Sequence, residues 1–158
     1  MKFPKFLGSV SLLVALGACH HIQTIPGTTV HDTRLNRQLI EIVEDYRNAL
    51  ESKDPVRLLT LAHPQYFEDS GTAKTDDDYG FEGLRQVLQT RLAAVRTIRY
   101  NIEYRRVEVM GTHAQVDVRY DATFQMATAL GDRWERKQND KRIELERDGD
   151  RWLIIAGM

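Results

Sequence analysis

The 158-residue chain contains one cysteine, Cys19, directly after an apolar stretch without charge, residues 6–18. A single cysteine excludes an internal disulfide, so the folded part must be held by its own core. The uncharged stretch follows Lys2 and Lys5 and is too short to span the ~30 Å hydrocarbon core of a bilayer as a helix. A basic start, a short apolar stretch and small residues before a cleavage position are typical of a secretory signal peptide, which we assign to residues 1–18.

The sequence also lacks an excess of charge of either sign. Without the signal peptide, 140 residues remain, the size of one ordinary domain, with 20 basic and 23 acidic side chains. This balance, and the lack of a basic stripe with interleaved aromatics, argues against nucleic acid as a partner. His20, His21 and His31 lie after the cysteine, but their spacing fits no common metal site. We therefore predict no metal and no cofactor.

The motif Leu16-Gly17-Ala18-Cys19 resembles the bacterial lipobox, the site at which lipoprotein precursors are modified and cleaved. The resemblance implies that Cys19 is acylated and that the protein meets the membrane through this lipid anchor. Lipoproteins kept in the inner membrane often carry an aspartate where this chain has His20, which favours the outer membrane, with the domain facing the periplasm. Residues 19–31 contain Pro26-Gly27 and no helical period, which predicts a flexible linker.

Helical periodicity begins after this linker. Apolar residues at spacings of three and four predict a helix over 33–52 with Asp32 as its N-cap. A short second helix is expected after Asp54-Pro55, the preferred order of a capping residue followed by proline. A third helix is predicted over 81–95, with Asp76, Asp77 and Asp78 capping its N-terminus.

The period then changes to two, which is typical of strands. A slip in the alternation at Arg105-Arg106 predicts a β-bulge within the first long strand. The segment 131–151 has 14 charged residues among 21, seven of each sign, and predicts a solvated strand. Residues 152–156 are apolar on both faces, as in a central strand. Tight turns are expected at Gly111-Thr112 and Asp148-Gly149-Asp150.

Helices followed by an antiparallel sheet describe an α+β domain over residues 32–158. Several segments of this region are similar to the nuclear transport factor 2-like superfamily, namely residues 46–54, His63-Pro64-Gln65-Tyr66, Gly83-Leu84 and residues 147–154. The resemblance implies a cone-shaped domain in which N-terminal helices pack on a curved, four- to six-stranded, mostly antiparallel sheet around an apolar cavity.

Enzymes that resemble this domain, such as SnoaL-like cyclases and ketosteroid isomerases, need a carboxylate or histidine inside the cone to move a proton. Here no carboxylate clearly falls on the apolar strand phase, and Gln65 stands where many relatives carry an acid. The candidate pocket residues either donate hydroxyl and imidazole groups to a ligand or serve as core packing, and Tyr104 has the same two interpretations. They are Tyr46, His63, Tyr66, Tyr100 and Tyr120, and the sequence assigns no catalytic residue.

These observations favour a non-catalytic cell-envelope lipoprotein that binds an apolar small molecule or docks an envelope protein near the membrane surface. The alternative is an enzyme of the SnoaL-like or isomerase type that uses His63 with Tyr46 or Tyr66. The outward phase of the longest alternating strand, from Gln115 to Gln125, is polar and charged. Because apolar dimer interfaces lack charge at their centre, we expect a monomer or a weak, salt-sensitive dimer.

Overall fold

The computed structural model describes residues 23–69 and 77–158, so the predicted signal peptide, Cys19, His20, His21 and Asp76 lie outside the described residues. In the described part, none of the helices has the length and apolar character needed to cross a membrane. The elements, in chain order, are α1 (Arg34–Glu51), α2 (Pro55–Leu61), β1 (Phe67–Glu68), β2 (Tyr79–Gly80), α3 (Phe81–Ala94), β3 (Val95–Met110), β4 (His113–Thr128), β5 (Gly131–Asp148) and β6 (Arg151–Ala156).

The helices form where the periodicity places them, but two of the predicted caps are wrong. Thr33 caps α1 by accepting a hydrogen bond from the Asn36 amide, because Asp32 is engaged with the Arg37 guanidinium at 2.5 Å. The cap residue of α3 is Gly80 rather than one of the predicted aspartates, because the short strand β2 lies between them and the helix. The prediction for α2 is confirmed, with Asp54 as its cap.

The four long strands form one antiparallel sheet in chain order, β3-β4-β5-β6, and β1 pairs with β2 separately. The predicted bulge is confirmed, since the β3–β4 register shifts between Tyr104 and Arg106. The prediction that 152–156 is a central strand is wrong, because β6 lies at the edge of the sheet. It is buried there because the end of α2 covers it. Ala62 forms a parallel bridge with Ile154, and the His63 amide donates to the Ile154 carbonyl at 2.7 Å.

The core lies between α1 and one face of this sheet. Leu39 and Val43 of α1 are fully buried, as are Val116 of β4 and Leu145 of β5. The strong bulge and the twist of long strands curve the sheet around the helix. The α+β fold, with N-terminal helices packed on a mostly antiparallel sheet, is therefore confirmed.

Side chains from outside the sheet occupy the free edge of β3. The Glu51 carboxylate accepts the Tyr100 amide at 2.7 Å, and the Lys53 ammonium donates to the Val95 carbonyl at 2.8 Å. The Thr29 hydroxyl donates to the Arg105 carbonyl at 2.7 Å. Backbone groups of an edge strand that would otherwise face water are thus paired with side chains.

Thr29 belongs to an ordered turn, although the sequence analysis placed residues 19–31 in a flexible linker. Thr24 bridges His31, the Ile25 amide donates to the Val30 carbonyl at 2.9 Å, and Val30 is only 3% exposed. Periodicity could not reveal this turn, because its contacts are to β3, distant in sequence. The described part of this predicted linker, residues 23–31, is therefore packed against the domain.

The opposite face of the sheet carries cross-strand ion pairs between β4 and β5. Arginine and aspartate face each other repeatedly, and each pair is exposed to solvent. The N–O distances are 3.0 Å for Arg119–Asp140, 2.5 Å for Arg136–Asp121 and 2.8 Å for Arg142–Asp117. Exposed pairs of this kind contribute little stability individually, but together they leave this face charged and balanced.

Candidate functional site

A cavity of about 570 Å³ lies between α3 and the concave face of the sheet. Its volume is in the range of pockets that hold small organic molecules. The side chains that form most of its wall are apolar and come from α3 and the facing strands. They include Leu84, Leu88, Leu92, Val95, Ile98 and Phe124. The exposed lining residues, Arg91 and Ala94 of α3 and Lys137 of β5, mark its mouth, and Val87, one helical turn before Arg91, is half-buried.

Three of the predicted pocket residues, Tyr46, Tyr100 and Tyr120, meet in the wall of this cavity. The Tyr100 and Tyr120 rings stack with their centroids 5.2 Å apart, and Tyr46 packs edge-on against Tyr100 at 6.3 Å. Burial raises the pKa of both Tyr46 and Tyr100 well above the usual range. Their hydroxyl groups therefore remain protonated at neutral pH and are available as hydrogen-bond donors.

Charged side chains of β5 enter the same cavity. Lys141 is half-buried, and its Nζ lies 3.4 Å from the Tyr46 hydroxyl and 5.5 Å from the centre of the Tyr46 ring. Lys137 and Glu135 lie farther along the strand toward the mouth, and Glu135 is paired with Arg133 at 3.2 Å. The expectation that no carboxylate reaches the concave face is therefore wrong for Glu135.

Tyr66 is buried in a separate cluster with Glu68 and the C-terminal residues. Its hydroxyl donates to Glu68 Oε2 at 2.5 Å and accepts from the Met158 amide at 3.1 Å. The same Glu68 oxygen accepts from the Gly157 amide at 2.9 Å. Burial raises the pKa of Tyr66, and the hydrogen bond to Glu68 raises it further. Both side chains are thus engaged in holding the last residues against β1.

His63 lies at the junction of α2 with β6, outside the lining of the cavity. Its side chain is 9% exposed, and Nδ1 accepts a hydrogen bond from the Gln65 amide at 3.0 Å. The structure thus brings Tyr46, Tyr100 and Tyr120 together, and it places His63 and Tyr66 elsewhere. In the described residues, histidine, aspartate and glutamate side chains form no group suited to a metal ion.

Sequence reasoning missed the charged lining from β5, although a signal for it exists. Ile143 and Leu145 are buried on the concave face, and continuing their alternate phase backwards reaches Lys141, Lys137 and Glu135. The density of charge in 131–151 concealed this phase and favoured a solvated strand. Glu68 was missed for another reason, because its partners Gly157 and Met158 are at the far end of the chain.

The fold is shared with several solved bacterial proteins. A protein from Xanthomonas campestris, named for the calcium/calmodulin dependent protein kinase II association domain, aligns with a TM-score of 0.63 at 19% identity, covering 87% of this chain and 93% of its own. A nuclear transport factor 2-like superfamily protein from Salmonella enterica aligns with a TM-score of 0.66 at 11% identity, covering 78% of this chain and 87% of its own. A candidate dehydratase of the nuclear transport factor 2-like family from Streptomyces avermitilis aligns with a TM-score of 0.64 at 14% identity, covering 77% of this chain and 92% of its own.

At these identities the solved structures show a common fold and not a common activity. No curated protein matches the sequence. The family described as the calcium/calmodulin dependent protein kinase II association domain matches residues 35–157, from the first turn of α1 to the residue after β6. This match spans every helix and strand of the described domain. The chain therefore belongs to the calcium/calmodulin dependent protein kinase II association domain family, within the nuclear transport factor 2-like fold.

Proposed function

We propose that the protein is a non-catalytic lipoprotein of the cell envelope whose cone binds an apolar small molecule. In this proposal Cys19 carries the lipid that anchors it to the outer membrane, with the domain in the periplasm. The observation that supports binding is the cavity of about 570 Å³, walled by leucine, isoleucine and aromatic side chains. Burying a ligand against such a wall is favourable at ~25 cal/mol per Å² of apolar surface.

The placement of His63 argues against the enzymatic alternative. A general base has to reach the proton that it removes, directly or through one water. His63 is outside the cavity lining, and its Nδ1 is occupied by the Gln65 amide. Glu135, the carboxylate that does reach the cavity, is paired with Arg133. Binding without chemistry is therefore the function that this geometry supports best.

The position of the mouth suggests where the ligand comes from. The N-terminal turn is attached to β3 at Arg105, whereas the mouth lies beside Val95 at the other end of the buried part of that strand. Ten residues of strand correspond to roughly 30 Å at ~3.3 Å per residue. A domain anchored through its N-terminus would thus open away from its own membrane and take its ligand from the periplasm.

Calorimetric titration of the full-length chain in non-ionic detergent with neutral 1-naphthaleneacetamide tests this proposal, with empty micelles as the blank. We expect binding at one site in the native protein. Val87→Trp places an indole in the mouth and should abolish binding. Val56→Trp is the matched control, because Val56 is 70% exposed on α2 and outside the cavity. Absence of binding to the native protein, or equal binding to Val87→Trp, would contradict the proposal.

A further inference from the structure

The charges that line the cavity are unbalanced. Three cationic side chains, Arg91, Lys137 and Lys141, line it, against one carboxylate, Glu135. Glu135 already has a cationic partner in Arg133, which lies outside the lining. The cavity therefore presents a surplus of positive charge to any molecule inside it. Because the apolar walls would partly shield a bound ligand from water, this charge should act more strongly on it than at the open surface.

Lys141 is the cation closest to the buried tyrosines. Its described contacts are the Tyr46 hydroxyl and the Tyr46 ring, and both are neutral groups. Within residues 23–69 and 77–158, Lys141 has no ion pair with a carboxylate, although the four arginines of β5 each have one. A partly desolvated ammonium with only neutral partners is costly, and an anion brought beside it would offset that cost.

The tyrosine hydroxyls complement this ammonium. Because burial raises the pKa of Tyr46 and Tyr100, both remain neutral and can donate to an anion. The carboxylate of Glu68 lies near enough to contribute to the raised pKa of Tyr46, but its Oε2 is engaged by the Tyr66 hydroxyl and the Gly157 amide, and it forms no ion pair with Lys141. The inner part of the cavity thus offers hydrogen-bond donors, namely the Lys141 ammonium and the tyrosine hydroxyls, and these lie beside stacked aromatic rings.

We infer that the ligand of the cone is an organic anion with an aromatic or aliphatic body, whose carboxylate or similar group is held by Lys141 while its body packs against Tyr120, Phe124 and the leucines of α3. This inference rests on the proposed function and adds the charge of the ligand to it. Hydrogen bonds between charged groups are stronger than neutral ones, so Lys141 should discriminate between an acid and its amide.

The test compares 1-naphthaleneacetate with neutral 1-naphthaleneacetamide, which share the same aromatic body, by calorimetry on the full-length chain. We expect the acid to bind roughly tenfold more tightly than the amide. Lys141→Met keeps the length of the apolar stem and should remove that preference without changing the affinity for the amide by more than about twofold. Lys141→Arg retains the charge and should keep most of the preference.

Lys137→Met is the matched control, because Lys137 is exposed at the mouth, where screening weakens its effect. We expect it to reduce binding of the acid by less than about threefold. Equal losses of affinity for the acid in Lys137→Met and Lys141→Met would show that the positive charges of the cavity attract the anion collectively, and would overturn the specific role of Lys141. Equal affinity of the native protein for acid and amide would overturn the inference while leaving the proposed function standing. Failure of both probes to bind would refute the proposed function itself.

Discussion

Four tyrosines are buried, and the structure defines a hydroxyl partner for three of them. Tyr46 contacts Lys141, Tyr66 donates to Glu68, and Tyr104 donates to Glu44 at 2.7 Å. Burial is the main cause of the raised pKa of all four, including Tyr100. The folded state therefore binds tyrosine protons more tightly than the unfolded chain, in which the usual pKa is about 10.

These shifts predict that the domain loses stability in alkali. The stabilisation is fully present below pH ~10, where tyrosines are protonated in both states. Above that pH the unfolded chain releases these protons first, so the free energy of unfolding falls by up to ~1.4 kcal/mol per pH unit for each tyrosine. Urea denaturation at a series of pH values from about 8 upward measures the slope.

Tyr104→Phe isolates the contribution of one tyrosine, because it removes the titrating hydroxyl and leaves the ring in place. We expect this variant to be less stable by about 1 kcal/mol at neutral pH, through loss of the hydrogen bond to Glu44, and to show a shallower decline above pH ~10. A decline as steep as that of the native protein would mean that other groups, and not the buried tyrosines, cause the loss.

At the scale of elements, the N-terminal turn is held to the domain by few contacts. The Thr29 hydroxyl donates to the Arg105 carbonyl, next to the bulge that frees it from the β3–β4 ladder, and Val30 fills the core beside it. A bulge leaves backbone groups unpaired, and here a side chain from the turn supplies the missing partner.

Thr29→Val should therefore loosen this turn without unfolding the domain. Valine keeps the shape of threonine but leaves the Arg105 carbonyl without this donor, which we expect to cost about 1 kcal/mol locally. Hydrogen exchange of residues 23–32 should accelerate several-fold while the exchange of β4 is unchanged. Thr60→Val is the control, because the Thr60 hydroxyl donates only within α2, to the Arg57 carbonyl. Faster exchange throughout the sheet would show that the turn supports the whole fold.

Sequence periodicity predicted the elements well and the cavity only in part. Helix and strand positions follow from local patterns, and the slip at Arg105-Arg106 revealed the bulge before the structure did. Asp32 was predicted to cap α1, but Thr33 caps it, and Asp32 pairs with Arg37 instead. The periodic pattern did not predict this ion pair. The phase of Ile143 and Leu145 extends to Lys141, but its contact with Tyr46 could not be predicted, because the two residues are 95 positions apart in the chain.

At the scale of the whole molecule, the ion-paired outer face of the sheet predicts how copies would associate. Because Arg119, Arg136 and Arg142 are each satisfied by an aspartate of their own chain, little charge is left to complement a second copy. We expect a monomer or a weak dimer at micromolar concentration, weakened further by salt. Sedimentation in low and high salt measures this, and a dimer that persists in high salt would be inconsistent with it.

In the proposed function, the placement of the protein in the cell depends on Cys19. We expect Cys19→Ser to lose the mass of the acyl chains and to leave the outer-membrane fraction, because several chains are needed for stable anchoring. Membrane fractionation with mass spectrometry of the isolated protein measures both effects, and Ser9→Cys in the Cys19→Ser background controls for the mere presence of a thiol. A variant with unchanged mass and unchanged fractionation would rule out lipidation at this residue.

The side chains on the edge of β3 also restrict how other proteins can join this sheet. Many partners are recruited by β-augmentation, in which an extended peptide adds itself to an unpaired strand and reads its backbone. Between Val95 and Arg105, Glu51, Lys53 and Thr29 already occupy three of the backbone groups that such a peptide would use, and β6 is covered by the end of α2. A peptide would have to displace these side chains, which hydrogen-bond the strand as a neighbouring strand would, before it could bind there. Recognition of this protein by others is thereby directed to side chains on its faces and loops, where selectivity can be encoded residue by residue.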